Sequence, residues 1–194
     1  MIEVKKVEPT KKNGFSLVEV LVTVAILSIL IFAICVFMTT GSNLYKKSSR
    51  EIDLQQEAQT TMNQLYDMTL SANKLNVSYM NPGSEHEVAV MFVQTTEEMD
   101  TKVSYIIIWM KDRQKLYFLR KDTSFIFTGT ESEITDLCNG VTDEANLLGQ
   151  YIKSMVIDTS ELTKDQAISI TIRFEIKDDK YDMTKEIKLR NKQG

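Results

Sequence analysis

Cysteine and histidine are nearly missing from this chain, which has two Cys and one His in 194 residues. A disulfide-stapled scaffold or a Cys/His zinc module needs more of both. A Ser-His-Asp or Cys-His catalytic unit would have to use His86, and no nucleophile motif lies near it. Positive charge is short as well: 23 Lys and Arg face 27 Asp and Glu, a net charge of -4. No overall basic field exists to hold nucleic acid by its phosphates. Internal repeats and low-complexity segments are absent. Hydrophobic residues make up 43% and charged residues 26%. That balance supports a packed domain and excludes both a wholly disordered chain and a multi-span transporter.

The apolar residues are not spread evenly. Phe15 to Met38 reads FSLVEVLVTVAILSILIFAICVFM, 24 residues with one charge, Glu19. About 20 apolar residues span a bilayer as a helix. After Gly41 the chain is much more polar. One membrane span with one soluble head is the expected organisation. Residues 1–14, MIEVKKVEPTKKNG, carry four Lys against two Glu. Positive flanking charge keeps this end cytoplasmic and places the head outside.

A secretory signal peptide has an apolar region of about 7–15 residues and a small-residue cleavage site. This run is longer, and no Ala-x-Ala follows it. A lipoprotein signal ending at Cys35 would want a small residue where Ile34 stands. A plain signal anchor explains the length and the lysines but leaves Glu19 without a reason. A charged side chain at bilayer depth costs roughly 2.5–3.5 kcal/mol on insertion scales and marks a functional candidate.

KKNGFSLVEV (Lys11–Val20) places Lys11 and Lys12, then Gly14, Phe15 and Glu19, directly before the long apolar run. This resembles the class III signal of type IV pilins and pseudopilins. The resemblance implies cleavage by prepilin peptidase between Gly14 and Phe15, then N-methylation of Phe15. It also implies that Glu19, fifth residue of the mature chain, sets axial register by pairing with the Phe15 amine of a neighbouring subunit. A buried carboxylate is expensive alone and tolerable when paired, so such a pair rewards correct docking more than it adds net stability. Cleavage would leave 19 basic and 25 acidic side chains, a balance of -6.

Beyond the span, residues 43–75 contain neither Pro nor Gly. Leu54, Ala58, Met62, Tyr66 and Leu70 advance four residues at a time, with Leu65 beside them, as one apolar helical face does. A helix from about Phe15 to Ala72 is expected, with a kink at Gly41 as the alternative. Asn73 to Glu85, with Asn76, Asn81, Pro82, Gly83 and Ser84, reads as a loop. Val88–Val93, Lys102–Met110, Lys115–Arg120, Ser124–Phe127, Tyr151–Asp158, Ala167–Ile176 and Tyr181–Arg190 read as strands, and Gly129–Gly149 as an acidic, turn-rich section. The run Ile106, Ile107 and Ile108 suggests a strand buried on both faces, against the helix and against a neighbouring subunit. Trp109 is read as sheet core, with a sticky surface as the alternative.

The fold class is therefore α+β: a long N-terminal spine helix, its first half transmembrane, packed on an antiparallel β-sheet head. The expected parts are a cleaved leader 1–14, a transmembrane and filament-core stretch 15–40, an amphipathic helical stretch 41–73 and a β-rich head 74–194. The C-terminal order also resembles J/W-type minor pseudopilins and minor pilins: Leu-Leu-Gly before a strand, a charged turn, a long alternating strand, and a last strand ending in KLRN.

No catalytic constellation and no cofactor is expected. Asp158/Glu161/Asp165 and Asp178/Asp179/Asp182 are acidic clusters at expected turns. They are read as solvated turns, with calcium as the alternative, and neither matches an EF-hand loop. A basic group around Lys111, Arg113, Lys115, Arg120 and Lys121 is read as solvated surface, with a local anion patch as the alternative. Nucleic acid is not an expected partner.

The resemblance implies a minor pilin or pseudopilin of a type IV pilus, type II secretion or competence filament. Its implied partners are prepilin peptidase, other major and minor pilin subunits, the inner-membrane assembly platform and, before assembly, membrane lipid. Its implied place is the cytoplasmic membrane with the head outside, then an extracellular filament or its tip. The alternatives are a filament-tip adhesin or DNA receptor, and a signal-anchored binding or sensor protein that joins no filament.

Overall fold

A computed structural model describes residues 16–96, 102–121, 125–141 and 144–190. The chain divides into two compact units, residues 1–46 and 47–194. Helix α1 (Leu17–Leu70) supplies the described part of the first and opens the second. Gly41 is helical, within the first unit.

In the second unit α1 buries Leu54, Ala58, Thr61, Met62, Leu65 and Thr69. A strict four-residue stripe drifts around a helix of 3.6 residues per turn. The buried face corrects that drift, taking Leu65 and Thr69 and leaving Tyr66 and Leu70 half-buried.

Two antiparallel sheets follow. The larger runs in the order β1 (Ala72–Met80), β2 (Val88–Thr96), β3 (Lys102–Met110), β4 (Lys115–Lys121), then β5 (Leu147–Gln150). Helix α2 (Glu131–Gly140) lies between β4 and β5 in the chain. The smaller sheet is β6 (Ile152–Asp158), β7 (Ala167–Ile176) and β8 (Asp179–Lys188).

Side-chain alternation on the strands builds two cores. Ala89, Met91 and Val93 of β2, with Ile107 and Trp109 of β3, join Leu54, Ala58, Met62 and Leu65 of α1. Ile152, Met155 and Ile157 of β6, with Ile168, Ile170, Ile172 and Phe174 of β7, complete that core from the smaller sheet. The intervening residues Val90, Phe92, Ile106 and Ile108 point the other way, onto Phe127, Ile134, Leu137 and Val141. The isoleucine run is thus buried on both faces within one chain. The second cover is the segment carrying α2, and not a neighbouring subunit.

Polar groups fix how the layers meet. The indole N–H of Trp109 donates to the Ile152 carbonyl at 3.1 Å, joining the two sheets in the core. The Ile157 N–H donates to the Tyr79 hydroxyl oxygen at 3.0 Å, tying β6 to β1. Glu57 accepts the Gln150 N–H at 2.8 Å and Thr61 donates to the Leu148 carbonyl at 3.4 Å, so α1 satisfies the outer edge of β5. A Cβ at Gly149 would press into the Thr61 side chain, which explains glycine there. The end of α1 has no glycine cap; the Arg190 N–H donates to the Leu70 carbonyl at 2.9 Å instead.

Three sequence expectations are corrected. Asn73 to Glu85 is not all loop, because β1 runs to Met80 and pairs along its length with β2. Gly129–Gly149 holds α2 and β5 rather than turns alone. Phe125–Phe127 is not a strand: Phe125 and Phe127 pack their rings on Phe92, at 6.3 and 5.7 Å between centroids, and Ser124 lies outside the described residues. The whole is an α+β fold, one long helix followed by antiparallel sheet.

Candidate functional site

The candidate site is the start of α1. Lys11, Lys12, Gly14 and Phe15 lie outside the described residues; Ser16 onward is described. Between Ser16 and Tyr45 the one charged side chain is Glu19, in the first turn. The residues around it are exposed on every side of the helix, including Leu17, Leu21, Val24, Leu30, Phe32 and Phe37. The most apolar 18-residue window has a mean hydropathy of 3.1, so α1 is long and apolar enough to cross a membrane. Burial stabilises by about 25 cal/mol per Å² of apolar surface, so a helix bare all round calls for lipid or other helices around it.

Three hydroxyls along this stretch bond inside the helix. Thr23 donates to the Glu19 carbonyl and Ser28 to the Val24 carbonyl, both at 2.7 Å. Thr39 donates to the Val36 carbonyl at 2.9 Å. The carboxylate of Glu19 has no such partner among the described residues. Its own N–H is held: the Ser16 hydroxyl oxygen accepts it at 3.3 Å. Ser16-Leu17-Val18-Glu19 has the S-x-x-E form of a capping box, a signal present in the sequence but hidden under the processing motif.

The other candidates disperse. His86 is exposed in the turn before β2, its N–H donating to Ser84 Oγ at 3.1 Å. Cys35 and Cys138 are free. Burial pushes the Cys138 thiol above its ordinary value, against the pull of the nearby Arg113 charge. Trp109 is core. Asp179 is held by Arg50 at 2.7 Å and Asp182 by a bidentate pair with Arg173 at 2.8 Å, so arginine occupies that acidic cluster. Asp158 accepts the Ser160 N–H at 2.9 Å, which holds its carboxyl below the usual range. Glu161 and Asp165 line an open pocket of about 190 Å³ with it. Among the described residues no three His, Cys, Asp or Glu side chains come together to hold a metal ion. In the basic group, Lys111 pairs with Glu87 at 3.3 Å and Arg113 donates to the Val141 carbonyl at 3.2 Å.

Residues 9–34 match the family model described as the prokaryotic N-terminal methylation motif. No curated protein and no solved structure matches the chain. The matched stretch contains Lys11, Lys12, Gly14, Phe15, Ser16 and Glu19, so the chain carries a type IV pilin-like class III signal, that of a prepilin-peptidase substrate. Signal and apolar helix together fit a membrane-anchored pilin-like chain.

Proposed function

We propose that this chain is a minor pilin or minor pseudopilin subunit, whose work is assembly and not catalysis. In this reading prepilin peptidase cuts between Gly14 and Phe15, Phe15 is N-methylated, and the apolar part of α1 leaves lipid to pack among the helices of other subunits in a type IV pilus, type II secretion or competence filament. Glu19 pairs with a neighbour's Phe15 amine and sets register. The head selects partners, in the shaft or in a tip complex that primes assembly.

The observation that carries this reading is the overlap of the methylation motif with the N-terminal stretch of α1, which is apolar on every side and whose one carboxylate, Glu19, has no partner among the described residues. The head from Lys74 on, 121 residues with 16 basic and 20 acidic side chains, favours a specialised subunit over a repeating one and offers DNA no broad basic face. The test is the N-terminal mass of the protein taken from its native membrane. A chain beginning at N-methyl-Phe15 is the expected result. A chain still carrying residues 1–14 beside an active peptidase would leave an anchored head and overturn the reading.

A further inference from the structure

We propose that Lys185 guards an open strand edge: it keeps β8 of one head from pairing with β8 of a second copy of this chain. The inference concerns the head alone and holds whether or not the chain joins a filament.

Strand β8 ends the smaller sheet, with β7 on one side and no strand on the other. The Leu189 N–H donates to the Gln166 carbonyl at 2.8 Å, while the next residue, Arg190, donates the opposite way, to the Leu70 carbonyl at 2.9 Å. Backbone groups alternate sides along an antiparallel strand, so Met183, Lys185 and Ile187 turn theirs to β7. Asp182, Thr184, Glu186 and Lys188 turn theirs outward, where no backbone partner meets them among the described residues. The edges of β5 and β6 are different. Glu57 and Thr61 hold β5, while Gln114 accepts the Ile152 N–H of β6 at 2.9 Å and Tyr79 that of Ile157. A row of unpaired backbone groups is a template for another chain's strand.

Side chains alternate with the same period. Ile187 is buried, so Lys185, two residues before it, lies on the face turned to α1. Its ammonium sits 4.2 Å from the centre of the Tyr66 ring and donates to Asn63 Oδ1 at 3.1 Å, both on α1. The charge is thus pinned on the core side of an edge strand, half-buried. A strand laid along β8 would cover it, and burying an ammonium without a carboxylate is costly. Inward-pointing charge blunts a sheet edge in this way.

Charges on the outer face do not suffice. With Met183 opposite Met183 of a second copy, Lys180 would stand opposite Glu186 of that copy, which favours pairing. In that register Lys185 meets Tyr181, which brings no counter-charge. With Lys185 opposite Lys185 of the second copy, Asp182 would face Lys188, again favourable, and the two ammoniums would meet on the inner face.

The test is amide exchange at Thr184 and Glu186 in the full-length chain in detergent, read over a range of protein concentration. Wild type is compared with Lys185→Met, which keeps the apolar stem on Tyr66 and removes the charge, and with Lys185→Arg, which keeps the charge. Wild type and Lys185→Arg should exchange fast at every concentration. In Lys185→Met these amides should slow as concentration rises, with self-association tighter by about tenfold or more, since the buried charge costs more than the roughly 1.4 kcal/mol that a factor of ten represents. If Lys185→Met lowers the urea midpoint, Lys185→Gln, which keeps a donor for Asn63, replaces it. Slow exchange in dilute wild type overturns the proposal, because the edge is then not open. Fast exchange in the neutral variant at every concentration also overturns it. So does association of that variant with both amides still fast, which places the contact elsewhere, as on the apolar stretch of α1.

Discussion

Leu21 and Leu65 are the same residue type on the same helix, yet Leu21 is 64% exposed and Leu65 is fully buried. Leu65 belongs to one continuous buried core together with Trp109, Met91 and Ile170. Around Leu21 the neighbours are other bare side chains of its own helix, Leu17, Val20, Val24 and Ala25. Polar groups divide the same way. In the head, Arg50, Glu57, Tyr79 and Trp109 all reach partners far away in sequence. On the N-terminal stretch Thr23, Ser28 and Thr39 bond only to the preceding turn. The head completes itself. The N-terminal stretch turns the hydroxyls of Thr23, Ser28 and Thr39 onto its own helix, as suits an apolar surrounding, and leaves its apolar surface exposed and the Glu19 carboxylate without a partner among the described residues.

The comparison breaks if damage to the head spreads to the signal. Trp109→Ala removes a buried indole and orphans the Ile152 carbonyl, and should destabilise the head by about 3–5 kcal/mol. The urea midpoint of the detergent-solubilised chain measures this, while leader cleavage in membranes should be unchanged. Loss of cleavage in this variant would mean that the two units do not act separately.

Glu19→Ala is the converse. It should leave the urea midpoint where it was and be cut normally. On the proposed function its recovery with other subunits in sheared filaments should fall at least tenfold, because the carboxylate has no partner among the described residues. Equal recovery of mutant and wild type would remove Glu19 from assembly.

How much of this was legible in the sequence follows the same division. The N-terminal motif is contiguous, so Gly14, Phe15 and Glu19 can be picked out without knowing the fold. The strands β3 and β7 also declare themselves, because KVSYIIIWM and AISITIRFEI are dense in β-branched and aromatic residues. Strand β1 does not. It is an edge strand that fully buries Ala72 and Leu75 alone, so no alternation shows, and it is held by pairing with β2, a side-chain bond from Asn73 to Thr96 and the Tyr79 hydroxyl. Helix α2 was hidden by its length of ten residues and its terminal Gly140. Its apolar spacing, Ile134, Leu137 and Val141, is helical, and Glu133 secures its start by accepting the Thr128 and Gly129 N–H groups at 2.9 and 3.0 Å. Long-range covers of this kind cannot be deduced from local pattern, since the face they protect is defined only once β2 and β3 have paired.

A finer test concerns where the self-completed region begins. Arg50, close behind the boundary at Lys46, donates to Asp179 at 2.7 Å, and the Asp179 side chain is only 9% exposed. Arg50→Ala leaves that carboxylate buried without its cation and should cost about 1–3 kcal/mol. Amide exchange should speed up over residues 47–54 and stay unchanged around Leu65. An exchange pattern untouched by the mutation would move the boundary of the head further along α1.

The smallest expected effect comes from a pair that belongs to the head by sequence but barely to its core. Arg173 and Asp182 face each other across β7 and β8, bidentate at 2.8 Å and about half exposed on both sides. The guanidinium hydrogen bonds hold the Asp182 carboxyl below its ordinary value, with Lys180 adding to the pull. A carboxyl depressed in the folded state contributes stability above its unfolded pKa of about 3.9 and loses it as pH falls through the folded value. The contribution is therefore complete at neutral pH and disappears only below about pH 4. Solvent and salt screen such a pair, so Asp182→Asn should shift the neutral urea midpoint less than Arg50→Ala does. The acid limb of the stability curve should flatten slightly in the variant. An acid limb identical to that of wild type would show that this pair orders the surface of the smaller sheet without stabilising it.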